Sequence, residues 1–480
     1  MPQWKPMLKE QDPMIELLRE WIMSPVPVDA ATDLRVSVLT VFRFMSEMIA
    51  EHLESPERSR LKKFLPKITK LFLPLDLTRA ALEYDASTHF LARKRVPPTF
   101  KEVRHVLNVA TTNAIAGKLK LVTFDADDTI YEDGGTISKT SRMVQVIVEL
   151  LRRGVVVSLV TAAGYPGNPG RYEERLRGIL DALKDVTMEE RARFLVMGGE
   201  CNYLFETHTE KATGVVKLRE IDGSVWKDGR GERWPQSEVT ALLDAAEGIL
   251  KETIKALHLS ARILRKERAI GIINTSNKRI LYENLEEISL TLQHELRHFN
   301  VPFCAFNGGN DVWVDIGHKA LGIQALQKYV FRFLPKELRD SEELRNIQGQ
   351  ECLHVGDRFT RTGNDTRSRD AATTIWISNP QETVHIMTKL LQTIDLVREQ
   401  KKERREEREK EKMEKKVKVK AKVLAVAKSL PSDDGSDVTV DTPDTIDNGS
   451  SDGESSGSSD ERETTVKAAI QAATTASLAE

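Results

Sequence analysis

The chain has 480 residues, and its 71 Lys and Arg residues nearly balance its 73 Asp and Glu residues. This balance gives no reason to expect nucleic-acid binding along the whole chain, and no apolar run approaches the length of a membrane span. The length predicts two or three domains. The N-terminus lacks the apolar core of a signal peptide, and the three cysteines lie far apart, so we expect a cytoplasmic protein with reduced thiols.

Residues 1–115 have the pattern of a helical region. Apolar residues recur at helical spacing from Met14 to Ile22 and again from Leu34 to Ile49. A basic stretch follows them and contains Arg93, Lys94, Arg95, Lys101, Arg104 and His105. This stretch is either a solvated helical face or an anion site, for example for a nucleotide.

The next predicted element is a strand that ends in a pair of acids. Leu119–Phe124 is a short apolar run bounded by polar residues, which is typical of a strand buried on both faces of a parallel sheet. Asp125 and Asp127 follow at its carboxyl end, where open α/β sheets bind ligands. Asp125 can attack phosphorus, Asp127 can serve as general acid and base, and Mg²⁺ would screen both from a phosphate. Such acids are also common as solvated loop residues or helix caps.

Thr161 ends a second buried strand. Ser138–Arg153 has the pattern of an amphipathic helix, and Val155–Val160 is the next apolar run. A hydroxyl at the end of the strand beside Asp125 can donate a hydrogen bond to a phosphate oxygen. A Thr at the end of a strand is commonplace by itself, so this prediction depends on the acidic pair that precedes it.

The segment from 195 to 312 is too long for a single crossover connection. Strand-like runs occur at 194–197 and 269–273, and helix-like runs occur at 239–257 and 281–299. They predict a separate α+β unit inserted between elements of the core. Asp311 lies near its end in a Gly/Asn turn, and the strand Val312–Ile316 follows.

Two more motifs follow the inserted unit. Lys319 precedes a predicted helix over 320–333 and can neutralise both a nucleophilic carboxylate and a phosphate, although an isolated lysine is usually solvated. Cys352–Asp357 is a third strand that ends in an acid, and Asp365 follows in a Gly/Asn loop. The chain therefore has acids or hydroxyls after three predicted strands.

In this order, the motifs resemble those of the haloacid dehalogenase superfamily of phosphatases. The matching positions are Asp125, Asp127 and Thr129 for the first motif, Thr161 for the second, Lys319 for the third, and Asp357 with Asp365 for the fourth. The resemblance implies an α/β fold with a Rossmann-like core over 116–198 and 313–395. It also implies an inserted α+β cap over 199–312, in the larger, C2-type position, that serves as a lid.

Longer strings resemble one family, the IMP-specific 5′-nucleotidases of fungi and protists. They are 123–134, 161–165 with 171–173, 354–357 with the loop to 363–365, and 374–380. The similarity covers roughly residues 10–395. It implies Mg²⁺-dependent hydrolysis of inosine 5′-monophosphate (IMP) to inosine and phosphate. It also implies a homotetramer and activation by ATP at a site that involves the N-terminal helical region.

The resemblance also implies a role for each candidate residue. Asp125 would be the nucleophile and Asp127 the general acid and base. Mg²⁺ would be held by Asp125, by the backbone carbonyl of Asp127 and by Asp357, and Asp365 would hold its waters. The expected substrate contacts are Asp133, Thr161, Asp311 and Lys319. The expected ATP contacts are His105 and Lys101.

The composition changes after residue 395. Residues 396–429 are dense in Lys, Arg and Glu and predict a charged helix, while 430–480 are rich in Ser, Asp and Gly and predict a disordered tail. Two rival hypotheses remain. One is a sugar-phosphate phosphatase or phosphomutase with the same fold, and the other is a non-enzymatic protein that assembles through its charged tail. The intact acidic and lysine motifs argue against the second.

Overall fold

The computed structural model describes residues 11–23, 34–227, 234–333 and 346–428, and the tail predicted over 430–480 lies outside them. The chain divides into two units, residues 1–396 and 397–480. Among the described residues, no helix combines the length and the apolar character that a membrane crossing requires.

Eleven strands are present in the described residues, and all but two precede residue 320. Numbered β1 to β11 in chain order, they are Leu121–Phe124, Val156–Val160, Phe194–Gly198, Tyr203–Thr209, Val216–Ile221, Ala261–Arg265, Ala269–Asn274, Phe303–Asn307, Asp311–Ile316, Cys352–Gly356 and Thr373–Trp376. Every residue of β1, β2, β3 and β10 is buried. Burial on both faces explains why these strands are continuous apolar runs.

The strands form two sheets. The large sheet has seven strands in the order β11-β10-β1-β2-β3-β4-β5, and the small sheet has four in the order β6-β7-β9-β8. The pairs from β11 to β3 are parallel, whereas β4, β5 and the whole small sheet are antiparallel. A mostly parallel sheet with a separate antiparallel unit confirms the predicted α/β class.

Helices cover the sheets and make up the N-terminal region. Numbered α1 to α14 in chain order, they are Pro13–Met23, Leu34–Glu54, Arg60–Phe64, Leu77–Thr88, Phe100–Ile115, Arg142–Arg152, Pro169–Arg175, Arg177–Ala182, Met188–Ala192, Gly223–Trp226, Gln236–Ala256, Tyr282–Glu295, Lys319–Tyr329 and Pro380–Lys428. Short 3-10 helices occur at Phe90–Ala92, Leu183–Asp185, Leu296–His298, Val330–Phe333, Gly349–Glu351 and Thr366–Asp370. Beyond residue 396, the side chains of 401–418 are exposed.

The sheets do not divide where the predicted cap begins and ends. Residues 203–221 were assigned to the cap, but they extend the large sheet as β4 and β5. Residues 313–316 were assigned to the core, but they belong to β9 of the small sheet. Antiparallel pairing of β4 with β3 needs only a short turn, so β4 continues the large sheet directly.

The N-terminal helices pack against the edge of the large sheet that β11 forms. Their buried side chains share one hydrophobic core with Phe359 and Trp376. The Phe100 ring of α5 meets the Trp376 ring edge-on, with centroids 5.3 Å apart. Helix α5 begins with a capping box, in which Thr99 and Glu102 each accept a hydrogen bond from the backbone N–H of the other. The described helices of the N-terminal region therefore share a core with Phe359 and with the end of β11.

Candidate active site

Asp125 lies at the edge of the large sheet where the carboxyl ends of the parallel strands meet. It directly follows β1, which pairs with β10 on one side and β2 on the other. Its backbone N–H donates to Val355 O at 2.9 Å. Its side chain is buried, and Oδ1 accepts a hydrogen bond from Ala126 N at 2.8 Å. The carboxylate is thus held where open α/β sheets bind ligands.

Lys319 places a cation between two carboxylates. It is the first residue of α13, and its side chain is completely buried. Its Nζ lies 2.9 Å from Asp125 Oδ1 and donates to Asp365 Oδ1 at 2.5 Å. Burial alone lowers the pKa of Lys319, but Asp125 and Asp365 outweigh that effect and hold the pKa above its ordinary value. The two carboxylates therefore favour the charged ammonium form of Lys319 beside Asp125.

Asp365 is buried completely and is surrounded by donors. In addition to its contact with Lys319, its Oδ1 lies 2.9 Å from His354 Nε2, and its Oδ2 accepts a hydrogen bond from Arg358 N at 2.9 Å. Burial raises the pKa of this carboxyl, but Lys319 and His354 hold the pKa below its usual range. The other ring nitrogen of His354 lies 2.9 Å from Thr123 Oγ1. The histidine therefore links β1 to the loop that holds Asp365.

Asp357 directly follows β10 and completes a cluster of carboxylates. Its Oδ1 is buried without a hydrogen-bond partner among the described residues. Oxygens of Asp125, Asp357 and Asp365 lie within 4.8 Å of one another. Burial raises the pKa of Asp357 well above its ordinary value, and the neighbouring Asp125 adds to the rise. An orphaned carboxylate oxygen in a cluster of this size fits a hard divalent cation.

Asp127 is close to this cluster in sequence, but its side chain has other partners. Its Oδ1 accepts a hydrogen bond from Gly134 N at 2.9 Å, and Arg175 NH1 lies 3.1 Å from Oδ1 and 3.2 Å from Oδ2. The side chain is 31% exposed. The predicted metal ligand is the backbone carbonyl of Asp127, so the ion pair with Arg175 leaves that prediction open.

Asp133 and Asp311 approach each other between the loop after β1 and the small sheet. Asn310 Nδ2 donates to Asp133 Oδ2 at 3.0 Å, and Trp313 Nε1 donates to Asp311 Oδ2 at 2.9 Å. Burial raises the pKa of Asp311, and the nearby Asp133 raises it further. Lys266 Nζ lies 4.5 Å from the centroid of the Trp313 ring. Two predicted substrate contacts therefore lie near each other, one in the loop after β1 of the large sheet and one in the small sheet.

Thr161 directly follows β2, the neighbour of β1. Its side chain is buried, its backbone N–H donates to Met197 O at 3.0 Å, and its Oγ1 accepts a hydrogen bond from Ala163 N at 3.1 Å. Because β1 and β2 are parallel and adjacent, Thr161 and Asp125 lie at the same edge of the sheet.

The predicted ATP contacts lie on helix α5, which packs against the β11 edge of the large sheet. Lys101 is exposed, whereas the His105 ring stacks on Tyr84 with centroids 5.3 Å apart. His105 Nε2 lies 3.5 Å from Glu382 Oε1. Burial lowers the pKa of His105, while Glu382 opposes that effect. Elsewhere in the basic stretch, Arg93 is paired with Glu102 at 2.6 Å.

Sequence reasoning missed several residues of this site. His354 stands in a buried apolar strand, and a histidine there is itself a signal of a buried polar network. Arg358 NH1 donates to Asn307 O at 3.2 Å, and its NH2 donates to Asp128 Oδ2 at 3.4 Å. The sequence carries no local signal for these contacts, since their partners lie far along the chain.

Glu200 is a further residue that the sequence did not single out. It is completely buried after β3, and its Oε1 accepts a hydrogen bond from Asn364 Nδ2 at 3.0 Å. Its Oε2 has no hydrogen-bond partner among the described residues. Burial raises the pKa of Glu200 to about 8, although Lys319 acts in the opposite direction. Burial therefore favours the protonated form of this carboxyl.

The fold and the site together define a class of protein. A parallel sheet with Asp125 after β1, a buried Lys319 beside it, and Asp357 after the adjacent strand form a haloacid dehalogenase-type core. The small sheet and its helices form the inserted unit that such cores carry between their motifs.

Within this class, the chain belongs to the IMP-specific 5′-nucleotidase family, whose sequence model matches residues 27–387. The IMP-specific 5′-nucleotidase 1 of Yarrowia lipolytica is 40% identical in an alignment of 366 residues that covers 74% of this chain and 83% of that protein. The protein of the same name from Saccharomyces cerevisiae is 39% identical in an alignment of 365 residues that covers 70% of this chain and 78% of that protein.

Solved structures of a Plasmodium falciparum IMP-nucleotidase have the same fold. An IMP-bound point mutant of that enzyme aligns with a TM-score of 0.70 and 32% identity, covering 81% of this chain and 96% of that one. The ATP-bound form aligns with a TM-score of 0.65 and 31% identity, covering 81% of this chain and 86% of that one.

Proposed function

We propose that this protein hydrolyses IMP to inosine and phosphate through an aspartyl-phosphate intermediate. The observation that carries the proposal is the position of Lys319 Nζ, 2.9 Å from Asp125 Oδ1 beside the acidic cluster. This lysine neutralises charge at the carboxylate that attacks and at the phosphate that is attacked. Family membership supplies the substrate, since the relatives are named for IMP.

In the first step, Asp125 attacks the phosphate of IMP. Its Oδ1 is engaged by Lys319 and by Ala126 N, so Oδ2 is the oxygen that forms the bond to phosphorus. The bond between phosphorus and O5′ breaks as Asp127 gives its proton to O5′. Inosine leaves with that proton, and the phosphoryl group stays on Asp125. Before this step Asp127 must leave Arg175 and take up a proton from solvent, because an ion-paired carboxylate has no proton to give.

In the second step, Asp127 takes a proton from a water molecule. The oxygen of that water bonds to phosphorus, and the bond between phosphorus and Asp125 breaks. Phosphate leaves, and both carboxyl groups return to their starting states. Thr161 donates to a phosphate oxygen in both steps from the end of the adjacent strand.

Mg²⁺ is the metal that this site fits. Asp125, Asp357 and the backbone carbonyl of Asp127 would hold it, and it would screen the attacking carboxylate from the phosphate charge. The orphaned Oδ1 of Asp357 supports this assignment. Asp365 has both oxygens engaged by Lys319, His354 and Arg358 N, so its role is to order the cluster and any water that Mg²⁺ keeps.

The remaining parts of the proposal concern substrate binding and regulation. Asp133 and Asp311 face each other through Asn310, and the nucleoside binds between the core and the cap at this position. ATP activates the enzyme at the surface of α5 that carries Lys101 and His105, apart from the Asp125 pocket. The protein acts in purine nucleotide metabolism as a homotetramer in the cytoplasm.

The decisive experiment is a comparison of phosphate release from IMP, AMP, GMP, glucose 6-phosphate and mannose 6-phosphate. It is run with Mg²⁺, with EDTA, and with Mg²⁺ and ATP together. We expect release from IMP above all others, loss of release in EDTA, and a higher rate with ATP. Faster release from the sugar phosphates would replace this proposal with the rival sugar-phosphate phosphatase, and release from none of them would contradict both.

A further inference from the structure

The peptide between Asp357 and Arg358 is restrained at both of its polar atoms. Trp376 Nε1 donates to Asp357 O at 2.8 Å, and Arg358 N donates to Asp365 Oδ2 at 2.9 Å. Because the carbonyl carbon is bonded to the Cα of Asp357, a peptide held at both atoms restrains the backbone angles of Asp357 and with them the direction in which its Cβ leaves the end of β10. The indole of Trp376 therefore influences the orientation of the Asp357 carboxylate through the backbone of Asp357.

Trp376 is in turn held by helix α5 of the N-terminal region. Arg104 NH1 and Asn108 Nδ2 both donate to Trp376 O at 2.7 Å, and Trp376 N donates to Asn108 Oδ1 at 3.3 Å. Strand β11 is the outermost strand at its end of the large sheet. At Trp376 the Asn108 amide thus takes the place of a neighbouring strand, because it bonds both the N–H and the carbonyl of this residue. All three residues are buried.

The same helix face continues toward the predicted ATP contact. Arg104 NH2 donates to Glu382 Oε2 at 2.9 Å, and Glu382 Oε1 lies 3.5 Å from His105 Nε2 without forming a hydrogen bond. A continuous set of contacts therefore leads from His105 through Glu382, Arg104 and Trp376 to Asp357. Each hydrogen bond from α5 to β11 or to α14 joins residues that are at least 268 positions apart in the sequence.

We propose that Trp376 is a positioning residue for the metal-binding carboxylate of Asp357, and that helix α5 holds Trp376 in the required place. The inference rests on the proposed function insofar as Asp357 binds Mg²⁺. It adds a residue that lies outside the four superfamily motifs, although the string 374–380 contains it. It also gives the N-terminal helical region a direct structural link to the metal site.

The test replaces Trp376 by Phe, which keeps an aromatic ring and removes the indole N–H. Mg²⁺ binding is measured without substrate, from the rise in unfolding temperature with Mg²⁺ and from a Mn²⁺ titration followed by electron paramagnetic resonance. Loss of a residue that orients a ligand weakens metal binding roughly tenfold to a hundredfold. We expect Trp376→Phe to weaken binding by about tenfold and Asp357→Asn, the positive control, to weaken it at least as much.

Trp226 provides a matched control. It is also buried, and its Nε1 donates to a backbone carbonyl, Ile221 O, at 3.2 Å. Trp226→Phe should lower the unfolding temperature but leave metal binding as in the parent protein. Equal weakening in both variants would show a general loss of packing and would overturn the proposal, as would parental metal binding in Trp376→Phe.

A second variant and the absence of substrate keep the test interpretable. If Trp376→Phe does not fold, Asn108→Ala removes the support of Trp376 on α5 and should weaken metal binding in the same direction, whereas parental binding would overturn the proposal. Because IMP is absent from these titrations, they remain valid if the substrate proves to be another phosphate ester. A parent protein that binds neither Mg²⁺ nor Mn²⁺ would overturn the metal site and this inference together.

Discussion

Lys319 Nζ donates to Asp365 Oδ1 at 2.5 Å, and both side chains are completely buried. Removal of one partner from a buried ion pair leaves an uncompensated charge, which costs about 3–5 kcal/mol. Lys319→Met should therefore lower the free energy of unfolding by about that amount and abolish hydrolysis. Urea unfolding followed by circular dichroism measures the first effect, and phosphate release measures the second.

The double variant Lys319→Met with Asp365→Asn separates stability from catalysis. It removes one of the two carboxylates that lose their cation in the single variant, while Asp125 remains, so we expect recovery of part of the lost stability and none of the activity. A double variant that is no more stable than the single one would show that the ion pair with Asp365 does not account for the loss.

Asp125→Asn should abolish phosphate release without unfolding the protein. The amide is nearly isosteric with the carboxyl but cannot form the aspartyl-phosphate. Asp128→Asn is the matched control, because Asp128 is three residues further along the chain and its carboxylate pairs with Arg358 at 3.4 Å and not with Lys319. It should retain most of the activity. Substantial turnover by Asp125→Asn would contradict the assignment of the nucleophile.

Glu200 should make the stability of the protein depend on pH. Its pKa is about 8 in the folded protein and near its ordinary value of 4.5 in the unfolded chain. The folded state therefore binds more protons between these values, and the free energy of unfolding falls as pH rises from about 4.5 to about 8. Glu200→Gln removes this group and should unfold at a higher temperature than the parent at pH 8 but not at pH 4.5. Thermal unfolding in EDTA across this range tests the prediction, and identical pH profiles for the two proteins would refute it.

His105→Val together with Lys101→Ala should weaken ATP activation and spare basal hydrolysis. Both side chains belong to α5, four residues apart and hence on one face of the helix. An effector that favours the active arrangement must bind that arrangement more tightly, and IMP must favour ATP binding in return. The measurement is IMP saturation at fixed Mg²⁺ with and without ATP, and Arg95→Ala, another exposed cation of the basic stretch, is the control.

Two outcomes would contradict that prediction. A double variant that responds to ATP like the parent would place the effector site elsewhere. Loss of basal turnover in the double variant would show that this face of α5 is structural, in keeping with the stacking of His105 on Tyr84.

Some features of the site were evident from local patterns. Asp125, Thr161 and Asp357 each follow an apolar run, and such runs form the adjacent parallel strands β2, β1 and β10. Because the carboxyl ends of parallel strands meet at one edge, a sequence that marks each strand and the residue after it also predicts the composition of the site. The apolar pattern also predicted a strand over 312–316, which is most of β9, and a helix directly after Lys319, where α13 is found.

The amino-acid sequence was enough to predict the fold class and to propose candidate residues for phosphoryl transfer, since both depend on short apolar runs and on the residues directly after them. Which of these residues contact each other became clear only from the folded chain. Lys319 and Asp365 are 46 residues apart in the sequence. His354 and Thr123 are 231 residues apart, and Asn108 and Trp376 are 268 residues apart. These contacts depend on strand order and on where α5 covers the sheet edge, and the apolar period of a segment carries no information about either. For the same reason, the affiliation of β4 and β5 with the large sheet became clear only from their pairing.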